Sequence, residues 1–255
     1  MAEESDLILE LGDWVIDAVC KQIKKWELDG GDVVPISINI SAKRFLKDDL
    51  VPTLQSIMQE TGVEAKWLEL EITETSLIQN GENVSAAIKL LKGLGVAVSL
   101  DDFGTGYASI NYLRKFKVDF LKIDRSFITG IGVNKDDEAI IRSILYLARE
   151  LNMKVVAEGV ETEEQLLFLL EHQCHLIQGY FYSKPLDAAE FSMFLSGRMP
   201  DFYRISKARE LAKKCEGSRI HFPVPMKAAR NTSQNNGVCD ACNHSNITEV
   251  SKIIN

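Results

Sequence analysis

The chain is predicted to be an α/β protein whose parallel strands wind as a TIM-like (β/α) barrel. Two observations carry this expectation. Short apolar runs alternate with helix-spaced segments along most of the chain, the pattern of a parallel sheet. Each run also closes on a polar residue that lies on the face opposite its apolar row. An open doubly wound sheet gathers its site at one switch point, whereas polar groups ending every strand fit a barrel whose C-terminal strand ends converge. With 255 residues, 45% hydrophobic and 26% charged, the chain can bury the core of one large domain and still carry a tail.

The first helix is expected from Asp13 to Leu28, with Trp14, Ala18, Val19, Ile23 and Trp26 on one stripe and Gly30-Gly31 beyond its end. The strand Val33 to Ile40 sets Ile36, Ile38 and Ile40 on one face and Ser37 with Asn39 on the other. A helix from Phe45 to Thr61 stops at Gly62, and the strand Trp67 to Ile72 places Leu68, Leu70 and Ile72 opposite Glu69 and Glu71. A helix from Glu82 to Leu94 stops at Gly95. The strand Val96 to Leu100 then aligns Ala97, Ser99 and Asp101 on one face.

Along the strand Asp119 to Ile123, Lys122 stands between the outward pair Leu121 and Ile123. A helix from Asp136 to Leu151 ends near Asn152, and Glu158 continues the face of Val156 after the strand Lys154 to Ala157. The last unit is a helix from Thr162 to His172 and a strand from Leu176 to Phe181, with Gln178 its polar break.

Residues 1–197 are expected to form the barrel domain, 198–216 an amphipathic helix and 217–255 a flexible tail. The helix draws on Phe202, Ile205, Ala208, Leu211 and Ala212, and the tail is rich in Ser, Asn and Thr with Pro223 and Pro225. Cys239-Asp240-Ala241-Cys242 with His244 is half of a zinc pattern, and a lone C-x2-C reads as an ordinary reduced tail. His172 and His175, flanking Cys174, read as packing or capping residues.

A net charge of -8 argues against a broad DNA or RNA footprint and against a membrane-surface patch. No stretch approaches the ~20 apolar residues of a membrane helix. Met1 to Asp6 is acidic, unlike a signal peptide, and five scattered cysteines fit a reducing cytoplasm.

The strand ends define the chemistry. Asp101-Asp102 closes a buried strand, and paired carboxylates there demand a cation or hydrogen bonds. Asn39, Glu71, Asp101 and Asp102 offer hard oxygens without His or Cys, a donor set for Mg²⁺ or Mn²⁺ rather than zinc. Two such ions activate a water and neutralise a phosphodiester. Lys122 is placed to steady that water or a phosphate oxygen, Glu158 to accept a proton, and Gln178 to orient them. Each residue also has an ordinary alternative: Gln178 as a satisfied core amide, Glu71 and Glu74 as solvent-facing acids, Lys122 as a snorkelling side chain. Their joint occurrence on one face of successive strands weighs against those alternatives.

Asn39-Ile40-Ser41, Glu71-Ile72-Thr73-Glu74, Asp101-Asp102-Phe103-Gly104-Thr105-Gly106, Lys122-Ile123-Asp124, Glu158-Gly159-Val160-Glu161 and Gln178-Gly179-Tyr180 together resemble the ordered motifs of the EAL-domain cyclic di-GMP phosphodiesterases. The resemblance runs from about Ala2 to Leu186. It implies a modified (β/α)8 barrel that opens the second messenger cyclic di-GMP to pGpG with two Mg²⁺ or Mn²⁺ ions. By motif it makes Asn39, Glu71, Asp101 and Asp102 metal ligands, Lys122 the holder of the catalytic water, and Glu158 the base or a water-holding carboxylate. Glu161 and Gln178 support the site. Glu74 braces the loop from Phe103 to Tyr107, with Gly104, Thr105 and Gly106, and the resemblance implies a homodimer through that loop.

The chain departs from the family in one respect. No Glu-Ala-Leu tripeptide occurs in it, and that motif supplies a further metal-ligand Glu. The expectation is therefore a barrel lacking its first two strands, with two sheet edges exposed. A second functional reading follows from the same departure: a catalytically inactive module that binds cyclic di-GMP or a partner protein.

Overall fold

A computed structural model describes residues 7–74, 81–106, 110–174 and 176–197. Six strands form one parallel sheet: β1 (Ile36–Asn39), β2 (Leu68–Thr73), β3 (Ala97–Phe103), β4 (Phe120–Ile123), β5 (Lys154–Ala157) and β6 (Leu176–Ile177). The helices are α1 (Leu7–Leu28), α2 (Ala42–Phe45), α3 (Leu50–Thr61), α4 (Gly81–Leu94), α5 (Ile110–Phe116), α6 (Arg125–Ile128), α7 (Lys135–Glu150), α8 (Glu163–Glu171) and α9 (Ala188–Leu195). Each strand pairs with the next in sequence, so the order β1-β2-β3-β4-β5-β6 has no switch point. That is the winding of a TIM-type barrel, as expected. Among the described residues β1 and β6 are the two sheet edges.

The core lies between strands and helices. Ile36, Ile38, Leu68, Leu70, Ile72, Val98, Leu100, Leu121, Ile123 and Val155 belong to the same buried cluster as Ile23 of α1, Leu54 of α3, Leu91 of α4, Ile141 of α7 and Leu169 of α8. The strand parity read from the sequence thus has its apolar row packed under the helices.

Several elements differ from expectation. Helix α1 begins at Leu7, and its buried stripe is Ile16, Val19, Cys20, Ile23 and Trp26, leaving Trp14 64% exposed. The helix carries more apolar residues than one face accommodates, and packing selected the stripe one step round from Trp14. The single helix expected from Phe45 to Thr61 is two, α2 and α3. Ser41 caps α2 by accepting from the Arg44 amide at 3.2 Å. The Arg44 guanidinium, buried between them, donates to Asp13 at 2.6 Å and to Asp49 at 2.7 Å, fixing the corner. Strand β6 keeps only Leu176 and Ile177 of its expected length, and α5, α6 and α9 were not anticipated.

His172 ends α8 as a packing residue, its ring 4.3 Å from that of Phe168. Tyr107, His175, the segment 198–216, the tail 217–255 and the Cys239 to His244 pattern lie outside the described residues.

Candidate active site

Lys122 is the centre of the strand-end cluster. Its flanking residues Leu121 and Ile123 belong to the core, so the strand's alternation drives its stem to the other face. There its Nζ donates to Glu71 Oε2 at 2.8 Å and pairs with Asp101 Oδ1 at 2.8 Å and Glu158 Oε1 at 2.5 Å. Four strands therefore meet at one ammonium: β4 supplies it, and β2, β3 and the end of β5 supply its acids. Lys122 is 4% exposed and Glu71 3%, which rules out the snorkelling and solvent-facing alternatives for both. Burial alone lowers the lysine pKa, but the charges of Glu71, Glu158 and Asp101 outweigh it and the net shift is upward. The ammonium stays fully charged at neutral pH.

A strictly alternating strand cannot point Asp101 and Asp102 the same way. Strand β3 departs from alternation at that point: Leu100 is opposite Leu121 and Phe103 opposite Ile123, so β3 spends one residue more than β4 over this stretch. Asp102 adopts the left-handed region, φ 56°. This is a β-bulge, and it brings Asp102 within electrostatic reach of Lys122 and Glu71 as well as Asp101. Burial, then the charges of Asp101 and Asp124, raise the Asp102 pKa.

A carboxyl whose native pKa exceeds its unfolded value of about 3.9 opposes folding once it ionises. Asp102→Asn, which tolerates a positive φ, is expected to raise the Tm by about 2 °C at pH 7 in chelator-treated protein. At pH 3, where both states are protonated, the gain should vanish. Equal melting of variant and parent at both pH values contradicts this.

Asn39 closes β1 beside Glu71 in register, is exposed, and is followed by the Ile40 amide donating to the Glu71 carbonyl at 3.0 Å. Glu74 is buried and accepts from the Gly104 amide at 3.0 Å and the Gly106 amide at 3.4 Å. A Cβ on Gly106 would stand 2.6 Å from the Glu74 carboxylate, and one on Gly104 2.8 Å from the Phe127 ring. The loop is thus threaded between a buried acid and an aromatic ring, where only glycine fits. Thr105, between them, is exposed and donates to the Asp102 carbonyl at 2.8 Å.

Glu161 stands apart from the lysine cluster. It is paired with Arg125 at 2.8 Å, nearer the surface. The Gln178 amide donates to the Ala157 carbonyl at 2.8 Å, and its carbonyl accepts from Val160 at 3.0 Å, so it is joined to the Glu158 turn through backbone. Its side-chain Oε1 is buried without a hydrogen-bond partner, which makes it a poor fit to the satisfied core amide. Arg125 was missed from sequence; the signal was a cation directly after Lys122-Ile123-Asp124, opposite a glycine. One layer below, Ser37, Glu69 and Ser99 continue the polar face into the interior.

Among the described residues, no three His, Cys, Asp or Glu side chains form a ready metal cage. The acids are instead gathered round the ammonium.

Fold and site define a TIM-barrel-like α/β protein with an acid-and-lysine centre at the C-terminal ends of its strands. The family model for the EAL domain matches residues 1–185. The chain belongs to the EAL domain family. It is 40% identical over 195 residues to the cyclic di-GMP phosphodiesterase NbdA of Pseudomonas aeruginosa, covering 76% of this chain and 25% of that protein. It is 37% identical over 190 residues to the cyclic di-GMP phosphodiesterase PdeR of Escherichia coli, covering 74% of this chain and 29% of that one. Among solved structures it is similar to the PaMucR phosphodiesterase in complex with c-di-GMP, at 39% identity and TM-score 0.71, covering 74% of this chain and 77% of the other. The EAL domain of Mycobacterium smegmatis DcpA gives 39% identity and TM-score 0.70, covering 75% and 86%. The chain spans about a quarter of the length of the first curated relatives it matches. Among the described residues no helix is long and apolar enough to cross a membrane.

Proposed function

We propose that this chain is a divalent-metal-dependent phosphodiesterase that opens cyclic di-GMP to pGpG. The convergence of Glu71, Asp101 and Glu158 on one buried ammonium, with Asp102 turned in beside them, carries this reading. One positive charge faces four carboxylates, so the cluster is short of cation; burial first, then the charges of Asp101 and Asp124, raise the Asp102 pKa. The donors are hard oxygens, so the set fits Mg²⁺ or Mn²⁺. Asn39, Glu71, Asp101 and Asp102 would hold two ions. When bound, these neutralise the phosphodiester and supply a water acidic enough to attack phosphorus.

The chain's own residues do the rest. Each of the three N–H groups of Lys122 is matched by a carboxylate, so it donates to a water only when one acid turns to another cation. Glu158, paired with that ammonium, accepts the proton as the water attacks. The bond from phosphorus to the ribose 3′-oxygen breaks in line, and that oxygen leaves with a solvent proton. Glu161 and Gln178 support the turn that carries Glu158, and Glu74 braces the loop after Asp102. The same reading places the protein in the cytoplasm and makes it a homodimer through that loop.

A second reading, a silent module that binds cyclic di-GMP or a partner protein, is favoured by the three carboxylates that take up every N–H of Lys122 and leave none for a water. Chromatography of cyclic di-GMP incubated with the chain and Mg²⁺ or Mn²⁺ separates the two. The first reading expects pGpG, with Asp101→Ala lowering the rate at least about hundredfold. Calorimetric binding of cyclic di-GMP without turnover selects the second, and neither binding nor turnover removes the first and leaves only the partner-protein form of the second.

A further inference from the structure

We propose that Arg125 is a positioning residue, holding Glu158 against Lys122 by clamping the chain that leaves β5. Its kinetic arm rests on the phosphodiesterase reading; its structural arm does not. The ends of β4 and β5 are bridged twice. Lys122 meets Glu158 at 2.5 Å, and three residues further along both segments Arg125 meets Glu161 at 2.8 Å. Of the inner pair Lys122 is buried and Glu158 17% exposed; the outer pair is 57% and 39% exposed.

Gly159 lies between the two bridges at φ 70°. A Cβ there would overlap Cβ, Cγ and Cδ of Arg125, so the arginine stem runs directly across this glycine. The backbone changes partner at the same place: the Glu158 amide donates to Ile123 of β4 at 3.2 Å, and the Val160 amide to Gln178 beyond β6 at 3.0 Å. The residue between those two bonds is therefore covered by a side chain rooted three positions after Lys122. An exposed ion pair contributes little to global stability. The value of this one is geometric, because it fixes the strand end bearing Glu158 to the strand bearing Lys122, and a small misplacement of a proton acceptor is costly to rate.

Hydrogen exchange, thermal melting and steady-state kinetics on the full chain test the assignment, with Arg125→Ala, Arg125→Lys and the exchanged pair Arg125→Glu with Glu161→Arg. For Arg125→Ala, amide exchange over residues 158–161 is expected to rise about threefold, with β2 and β3 unchanged and the Tm within about 4 °C of the parent. Its kcat should fall about tenfold or more while KM stays within about twofold. Arg125→Lys and the exchanged pair should recover part of both. Unchanged exchange overturns the proposal, as does faster exchange with kcat intact. A raised KM with unchanged kcat also overturns it, by assigning Arg125 to substrate binding. If the parent chain shows no turnover, the phosphodiesterase reading fails separately and exchange alone decides: faster at 158–161 supports the clamp, and no change removes it.

Discussion

Replacing Lys122 by methionine is expected to cost about 3–5 kcal/mol of stability at pH 7.5 and, under the proposed phosphodiesterase function, to abolish turnover. The methionine fills much of the same volume, so the loss reads the missing charge rather than a cavity. Glu71, Asp101 and Glu158 would then face one another without the ammonium that now lies 2.5 to 2.8 Å from each. In the parent, the lysine pKa lies above its ordinary value of about 10.4, so its contribution is complete at neutral and mildly alkaline pH and is lost only in strong alkali. In the variant the acids take up protons more readily in the native state than in the unfolded one. Its stability should therefore recover as pH falls from 7.5 toward 5. Urea titrations at the two pH values check this, and the same midpoint for variant and parent at pH 7.5 would contradict it. Millimolar Mn²⁺ should also restore part of the midpoint if those acids hold a divalent cation.

Gly179→Ala is expected to destabilise the chain by about 3 kcal/mol or more and to silence the site, although residue 179 carries no functional group. Its φ is 155°, and a Cβ would overlap the N, C and O atoms of Val160. These are backbone atoms and have no rotamer to move into. They also carry the two bonds that attach β6 to the Glu158 turn, Val160 to Gln178 at 3.0 Å and Phe181 to Val160 at 2.8 Å. Relieving the overlap breaks those bonds, and buried backbone groups left unpaired are costly. Gly30→Ala is the control: φ is 68° but nothing stands within 4 Å of its Cβ, so only the left-handed penalty of about 1–2 kcal/mol applies. Comparable thermal melting of the two variants would show that the Val160 contact is not limiting.

The strands were legible because alternation is a local property. Ile36, Ser37, Ile38 and Asn39 declare their faces without reference to anything distant, and so do Leu68 to Ile72. The buried cluster around Lys122 followed, since residues on one face at the ends of neighbouring strands must meet. What stayed hidden depends on partners remote in sequence. The break between α2 and α3 turns on Arg44 reaching Asp13, 31 positions away. The choice of stripe on α1 depends on which helix and strand surfaces await it, and Trp14 was as apolar as the residues that were buried. Arg125 escaped because its meaning lies in Gly159 and Glu161, in the segment that follows the next strand. Short helices such as α6 offer too few turns for a period to show, although Asp124 caps it by accepting from Ser126 at 2.9 Å.

The extra residue in β3 works as a shift of frame. Upstream of it, the odd positions Ala97, Ser99 and Asp101 share one face; downstream, Phe103 stands opposite Ile123 on the other, where unbroken alternation would have sent Asp102. One inserted residue thus turns Phe103 into the wall, where the Phe127 ring also lies, and keeps Asp102 within electrostatic reach of Asp101, Lys122 and Glu71. Two donors separated by one peptide unit form a short bite that no regular strand can present. Removing Asp102 would therefore do more than subtract a carboxylate. It would put β3 back in step with β4, so the two adjacent carboxylates stand together at this strand end only while the strand remains one residue out of step.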